Sequence, residues 1–155
     1  MTAALIVQTA SLDDRDVQGL LQKHFALMRS QSPPESCNVL DDVGLRTADA
    51  HIFAARADSV LLGIAALVRL NATEGEVKSM HTAQDMRGRG VGRALLRHLI
   101  GAAREEGLTR LSLETGSEQT HAPARALYSS FGFEPCPPFG VYVEDPLSMF
   151  MTRAL

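Results

Sequence analysis

A chain of 155 residues, 45% hydrophobic and 21% charged, is long enough for a buried core and ordinary for a globular fold, which predicts a single domain over residues 1–155. Its formal net charge of −3, with no extended basic run, argues against a nucleic-acid footprint, and its apolar runs are too short to span a membrane. Cys37 and Cys136 make no disulfide framework, no Cys/His cluster marks a metal site, and residues 3–7 are too few for a signal-peptide core, so the expectation is a cytoplasmic protein without a metal.

Leu5-Ile6-Val7 reads as the first strand. Ser11 is the expected cap of the helix that follows, with Asp13 and Asp14 in its first turn. Val17, Leu20, Leu21, His24 and Met28 trace one face of that helix. On such a stripe His24 is either a hydrogen-bonded, partly buried residue or a pocket-lining one. Ser32-Pro33-Pro34-Glu35-Ser36 ends the helix, and the segment through Asp42 is loop or a short second helix. Residues 51–57 and 59–70 read as a hairpin around Asp58, the second strand apolar enough to be central. A turn at 71–75 leads into a strand over 76–82.

Next comes Met86-Arg87-Gly88-Arg89-Gly90-Val91-Gly92-Arg93, where three alternating glycines are threaded with three arginines. The apolar residues Val91, Leu95, Leu99, Ala102 and Ala103 fall at helical spacing, and Gly107 supplies a stop. A glycine loop feeding a helix N-terminus points bare N–H groups at a ligand, so this is an anion seat for a phosphate or pyrophosphate. A Walker loop would need Lys and Ser or Thr where Arg93-Ala94 stand, and a dinucleotide fingerprint would need its third glycine at position 93. A strand over 109–115, a helix over 122–131, a strand opening at Phe133 and a last strand over 148–153 complete the chain. Strand–helix–strand through the middle requires parallel neighbours. The predicted fold is a mixed α/β sheet of about six or seven strands flanked by about four helices, with the anion seat at the carboxyl end of a central strand.

The loop fits Arg-x-x-Gly-x-Gly at Arg87, Gly90 and Gly92, and a second pattern places Ala124 before Leu127-Tyr128 and Gly132-Phe133. Together these resemble the Gcn5-related N-acetyltransferases. The resemblance implies acetyl-coenzyme A as cosubstrate, its pyrophosphate held at Arg87, Gly88, Arg89, Gly90, Val91, Gly92 and Arg93. Its pantetheine arm would lie along Met80, His81 and Thr82. His121 stands where the family often has an asparagine that bonds the pantetheine. Ser32-Pro33-Pro34-Glu35-Ser36, Leu113-Glu114-Thr115-Gly116-Ser117 and Pro138-Phe139 with Glu144-Asp145-Pro146 resemble a subgroup of small bacterial members.

The reaction so implied is direct attack of an amine on the thioester. A backbone N–H freed by a bulge near Met80 would hold the oxyanion. Glu76 occupies the position of a catalytic glutamate in some relatives, and Glu114 on the neighbouring strand is its rival as base. Tyr128 is the expected acid, a phenol with a reference pKa of about 10 that can protonate the thiolate. His81 and His98 would otherwise serve packing or a solvated face. The acceptor groove of this fold is bounded by residues 32–42 and 135–146. These carry Glu35, Asp41 and Asp42, and Tyr142, Glu144 and Asp145, without a Lys or Arg. Acidic, aromatic-bearing walls fit a small cationic amine, with Glu35, Tyr142 and Glu144 as the contacts, and a proline-rich second loop fits a preformed pocket of modest size. A homodimer is left open. The competing reading is a non-catalytic acyl-coenzyme A sensor that binds a partner on the same fold.

Overall fold

The computed structural model describes residues 4–155. Strand β1 (Ile6–Ala10) is followed by helix α1 (Arg15–Gln31), a single 3-10 turn at Pro34–Ser36 and helix α2 (Asp42–Thr47). Strands β2 (His51–Ala57), β3 (Val60–Arg69) and β4 (Glu74–Thr82) form a meander, then helix α3 (Val91–Glu105) crosses to β5 (Arg110–Gly116). Helix α4 (Ala122–Ser130), β6 (Glu134–Cys136) and β7 (Ser148–Ala154) close the chain. The seven strands form one sheet in the order β1-β2-β3-β4-β5-β7-β6, parallel at β4–β5 as the crossover demands.

Two expectations at element ends are corrected. Ser11 does not cap α1: its hydroxyl accepts from Asp13 N–H in a turn, and the helix begins at Arg15 with Asp14 at the cap position. Asp16, not Asp13 or Asp14, is the acid in the first turn, and it pairs with Arg56 of β2. Ser59 belongs to the turn and not to β3. Asp58 and Ser59 have φ of 48° and 65°, the doubly left-handed geometry of a tight two-residue hairpin.

Period-two alternation divides the core between the two faces of the sheet. Ile52, Ile64 and Ala66 point to α1 and α2, where they pack with Val17, Leu20, Leu21 and Leu45. Phe53, Ala65, Leu67 and Val77 point to the opposite face and meet Val91, Leu95, Leu99 and Ala103 of α3.

The feature that makes a site is a split in the middle of the sheet. β4 and β5 pair only at Glu74↔Arg110, Gly75↔Leu111 and Glu76↔Ser112. Beyond Glu76 both strands run on, β4 to Thr82 and β5 to Gly116, without pairing to each other. Just past the divergence β4 carries a bulge. Lys78 pairs with Ala66 and His81 with Ile64, so Ser79 and Met80 together face Ala65, with Ser79 at φ 52°.

Candidate active site

The split opens into a cleft of about 1090 Å³ between the diverging halves of β4 and β5. Its floor and walls are Val77, Ser79, Met80, His81 and Thr82 of β4, Glu114, Thr115 and Gly116 of β5, and Tyr128 of α4. The glycine loop closes one end. Gly88 and Gly90 both sit at φ 78°, with Gly90 at the cap position of α3, so the chain turns there in a conformation open to glycine at little cost. Gly92 lies within α3 in an ordinary helical conformation, and a side chain there would first press on Leu127. Arg87 and Arg93 line the cleft with Gly88, Gly90, Val91 and Gly92. Arg93 also reaches Ser130 Oγ at 3.2 Å and stacks over Phe131. Arg89 is exposed and does not line the cleft, because loop and helix turn it outward.

Both candidate bases are present on one face of the sheet. Glu76 is 5% exposed, and its Oε2 accepts from Tyr142 Oη at 2.5 Å and from Lys78 Nζ at 3.3 Å. Lys78 Nζ also donates to Tyr142 Oη at 2.8 Å. Glu114, across the split, accepts from Asn38 Nδ2 at 3.1 Å and from Ser148 Oγ at 3.3 Å. Burial raises its pKa above the ordinary carboxylate value, against the opposing pull of those two hydrogen bonds and of Lys78. Tyr128 is buried, edge-on to Phe133, and burial followed by the charge of Glu114 pushes its pKa well up. The phenol is therefore held protonated.

Three histidines stand at the cleft. His24 of α1 is 8% exposed, and its Nδ1 lies 3.0 Å from Nδ1 of His81, so one ring must donate and the other accept. Burial, followed by repulsion from His81 and Lys78, lowers the His24 pKa to about 3. His24 thus fulfils both of its expected roles, since it also lines the cleft. The His121 ring lies close against Gly116, where any side chain would run into it. His98 lies outside the cleft and packs edge-on to Phe53.

A profile of the acetyltransferase (GNAT) family matches residues 17–133. The chain belongs to the GNAT acetyltransferase family. It is 42% identical over 149 residues to an uncharacterized N-acetyltransferase, YsnE of Bacillus subtilis, covering 96% of this chain and 99% of that one. Among solved structures, one from Klebsiella pneumoniae described as an acyl-CoA N-acyltransferase superposes with a TM-score of 0.78 at 27% identity, covering 97% of each chain. A GNAT acetyltransferase from Elizabethkingia anophelis, solved with acetyl-CoA bound, shares the fold with a TM-score of 0.71 at 18% identity over 97% of this chain and 98% of that one. The GNAT assignment makes this chain an acetyl-transferring enzyme with relatives of the YsnE kind. Among the described residues no helix is long and apolar enough to cross a membrane.

A second cavity of about 670 Å³ adjoins the GNAT cleft on the far side of Glu76, Lys78 and Tyr142. Glu35, Tyr142 and Asp145, from the segments 32–42 and 135–146, line it. Glu144 does not: it is exposed and borders neither cavity, because Asp145 turns inward to cap Leu147 N–H. Asp41 is spent on α2, where it accepts from Gly44 N–H at 2.8 Å. Neither loop brings a cation, but Lys78 reaches into the cavity from β4. The strand period puts Lys78 on the same face as Glu76, and the fold of the Tyr142 loop brings that face into the cavity.

Proposed function

We propose that this enzyme moves the acetyl group of acetyl-coenzyme A to the primary amine of a small molecule. The observation that carries the reading is the split between β4 and β5 beyond Glu76, ending at a glycine-capped helix. The unpaired inner edge of β4 offers backbone groups to an extended pantetheine arm along Met80, His81 and Thr82, as an added strand would use them. Gly88, Gly90, Val91 and Gly92, with Arg87 and Arg93, suit a pyrophosphate at the α3 N-terminus. His121 stands beside Gly116 at the other wall, within reach of the same arm.

The residues divide the chemistry as follows. Glu114 takes a proton from the incoming ammonium. Its raised pKa increases its proton affinity, whereas Glu76 is already committed to Tyr142 and Lys78. The amine lone pair forms the C–N bond, and the Met80 N–H at the bulge holds the oxyanion. Collapse breaks the C–S bond as Tyr128 donates its hydrogen to the departing sulfur. Because burial raises the phenol pKa, its proton moves only as charge develops on sulfur. The nitrogen sheds its second proton through the cleft as the adduct collapses, an equivalent proton restores the phenol, and Glu114 returns its own to solvent. Acetyl-coenzyme A titrated into the protein in a calorimeter, with thiol release measured against a panel of amines, tests the assignment. Binding at the glycine loop and acetylation of at least one amine are expected. Absence of binding by a folded protein overturns it.

A further inference from the structure

Glu76, Lys78 and Tyr142, with the loop residues 37–40, line both cavities, so they form the wall between the thioester cleft and the acceptor cavity. An acceptor nitrogen must pass this wall to react. Two of its members sit on β4, in the body of the sheet, while Tyr142 comes from the connection between β6 and β7. The Tyr142 hydroxyl gives Glu76 one short O–H donor, which is the bond an amine N–H would make in the same place.

Charge at the wall limits what the rest of the acceptor can be. The cavity presents four carboxylates, Glu35, Glu74, Glu76 and Asp145, against the single cation Lys78. That lysine is 11% exposed and already bonded to Glu76 and Tyr142, so it has little left for a carboxylate on the substrate. Two of the rim acids are likewise engaged, Glu74 with Asn71 and Asp145 with Leu147 N–H. Between rim and wall the surface is apolar, formed by Val68, Leu70 and Phe139 and continued on the wall by Val39 and Leu40.

We propose that this cavity takes a primary amine on an apolar body free of carboxylates, whose nitrogen displaces the Tyr142 hydroxyl from Glu76. The proposal rests on the acetyltransferase reading above. Alkylamines and arylalkylamines fit it; α-amino acids and ω-amino acids are repelled by the acidic rim and find no free cation. A second ammonium is not repelled by that rim, but it brings a hydrated charge against Val68, Leu70 and Phe139 and forfeits the apolar contacts a methyl end would make there.

The test is steady-state thiol release with acetyl-coenzyme A and five probes: propylamine, hexylamine, 6-aminohexanoate, 1,6-hexanediamine and phenylalanine. kcat/KM is expected to rise about fourfold per methylene from propylamine to hexylamine. Hexylamine should exceed the two ω-substituted analogues and phenylalanine by about tenfold or more. An equal or better rate with the acid, the diamine or the amino acid overturns the proposal. So does a panel in which none reacts while acetyl-coenzyme A still binds; that result leaves the coenzyme reading standing, whereas loss of binding removes both. Tyr142→Phe keeps the ring beside Phe139 and Phe150 and deletes the competing donor. It should lower KM for hexylamine several-fold and leave KM for acetyl-coenzyme A unchanged. An increase in hexylamine KM would mean that the hydroxyl binds the acceptor instead of yielding to it, and would overturn the displacement.

Discussion

Tyr142 Oη donates to Glu76 Oε2 across 66 residues of sequence, and Lys78 Nζ bonds both. This closed trio explains why one of two neighbouring carboxylates remains free to take a proton. Glu76 is balanced by a cation and a phenol; Glu114 has two neutral donors and a pKa raised chiefly by burial.

Replacing each carboxylate should therefore give different phenotypes. Glu114→Gln keeps the hydrogen-bonding shape and removes the base, so kcat should fall by roughly a hundredfold to ten-thousandfold with acetyl-coenzyme A affinity intact. Glu76→Gln leaves Lys78 buried beside a neutral amide and should destabilise the fold by roughly 3–5 kcal/mol in denaturant melts. The pH dependence separates them further. A carboxylate with a raised folded pKa binds more protons folded than unfolded, so stability falls as pH rises from its ordinary 4.5 through the raised value. Glu114→Gln should remove that decline. If Glu76→Gln instead abolishes turnover at unchanged stability, the roles are reversed.

Tyr128→Phe isolates the phenolic proton from the packing of the ring against Phe133. Stability should change by about 1 kcal/mol or less. Turnover should fall by roughly tenfold to a thousandfold where chemistry limits the rate. Wild-type turnover in single-turnover kinetics would confine Tyr128 to the core.

The elements that bear this chemistry were readable because each has a local cause. The α3 stripe, the Asp58 turn and the apolar β3 follow from spacing and turn residues alone, and residues 76–133 carry both loop signatures. What escaped the sequence was set by tertiary contacts. Lys78 looked like one more charge on a strand until the loop holding Tyr142 folded onto it. Glu144 and Asp145 are adjacent in sequence and equivalent in charge, yet a turn bond to Leu147 N–H settles which faces inward. Arg89 and Arg93 both flank a glycine, yet only Arg93 borders the cleft: it sits in the first turn of α3, whereas Arg89 lies in the loop before the helix and is exposed. Ser11 caps nothing for the same kind of local reason: its hydroxyl is taken by Asp13 N–H, and Asp14, at the cap position, turns its carboxylate back to Ser11 N–H.

The glycines of the loop should not be equivalent under substitution. Gly90 has open space around its Cβ position but sits at φ 78°, so Gly90→Ala is strained whatever the room. A cost of about 1–2 kcal/mol and a weakened coenzyme site are expected together. At Gly92 an added Cβ comes 3.0 Å from Leu127 Cδ2, the end of a flexible side chain. Gly92→Ala should therefore be nearly neutral in stability, while Gly92→Glu should abolish acetyl-coenzyme A binding by bringing negative charge to the anion seat. Calorimetry and thermal melts on the three variants check this. Coenzyme affinity retained in folded Gly92→Glu would remove the loop from the binding site.

The His24–His81 pair predicts how the fold responds to acid. With its pKa lowered to about 3 from an ordinary 6.5, chiefly by burial, folded His24 binds fewer protons than the unfolded chain between those values. Its stabilising effect is fully present above the unfolded pKa and is lost as pH falls through that window. His81 adds in the same direction, its pKa lowered by burial and then by Arg87 and Lys23. Among the described residues, the charges that act on the pair from α1, β4 and the glycine loop are the cations Lys23, Lys78 and Arg87, which all push in the same direction. His24→Gln keeps a group able to bond His81 and removes one titration. Its melting temperature should therefore fall less steeply than that of the native chain between about pH 6.5 and pH 4. Because His81 stays in place, some slope should persist, and the double variant His24→Gln with His81→Gln should flatten it further. Parallel curves for the native chain and the single variant across that range would show that the buried imidazole does not titrate on unfolding as its environment requires.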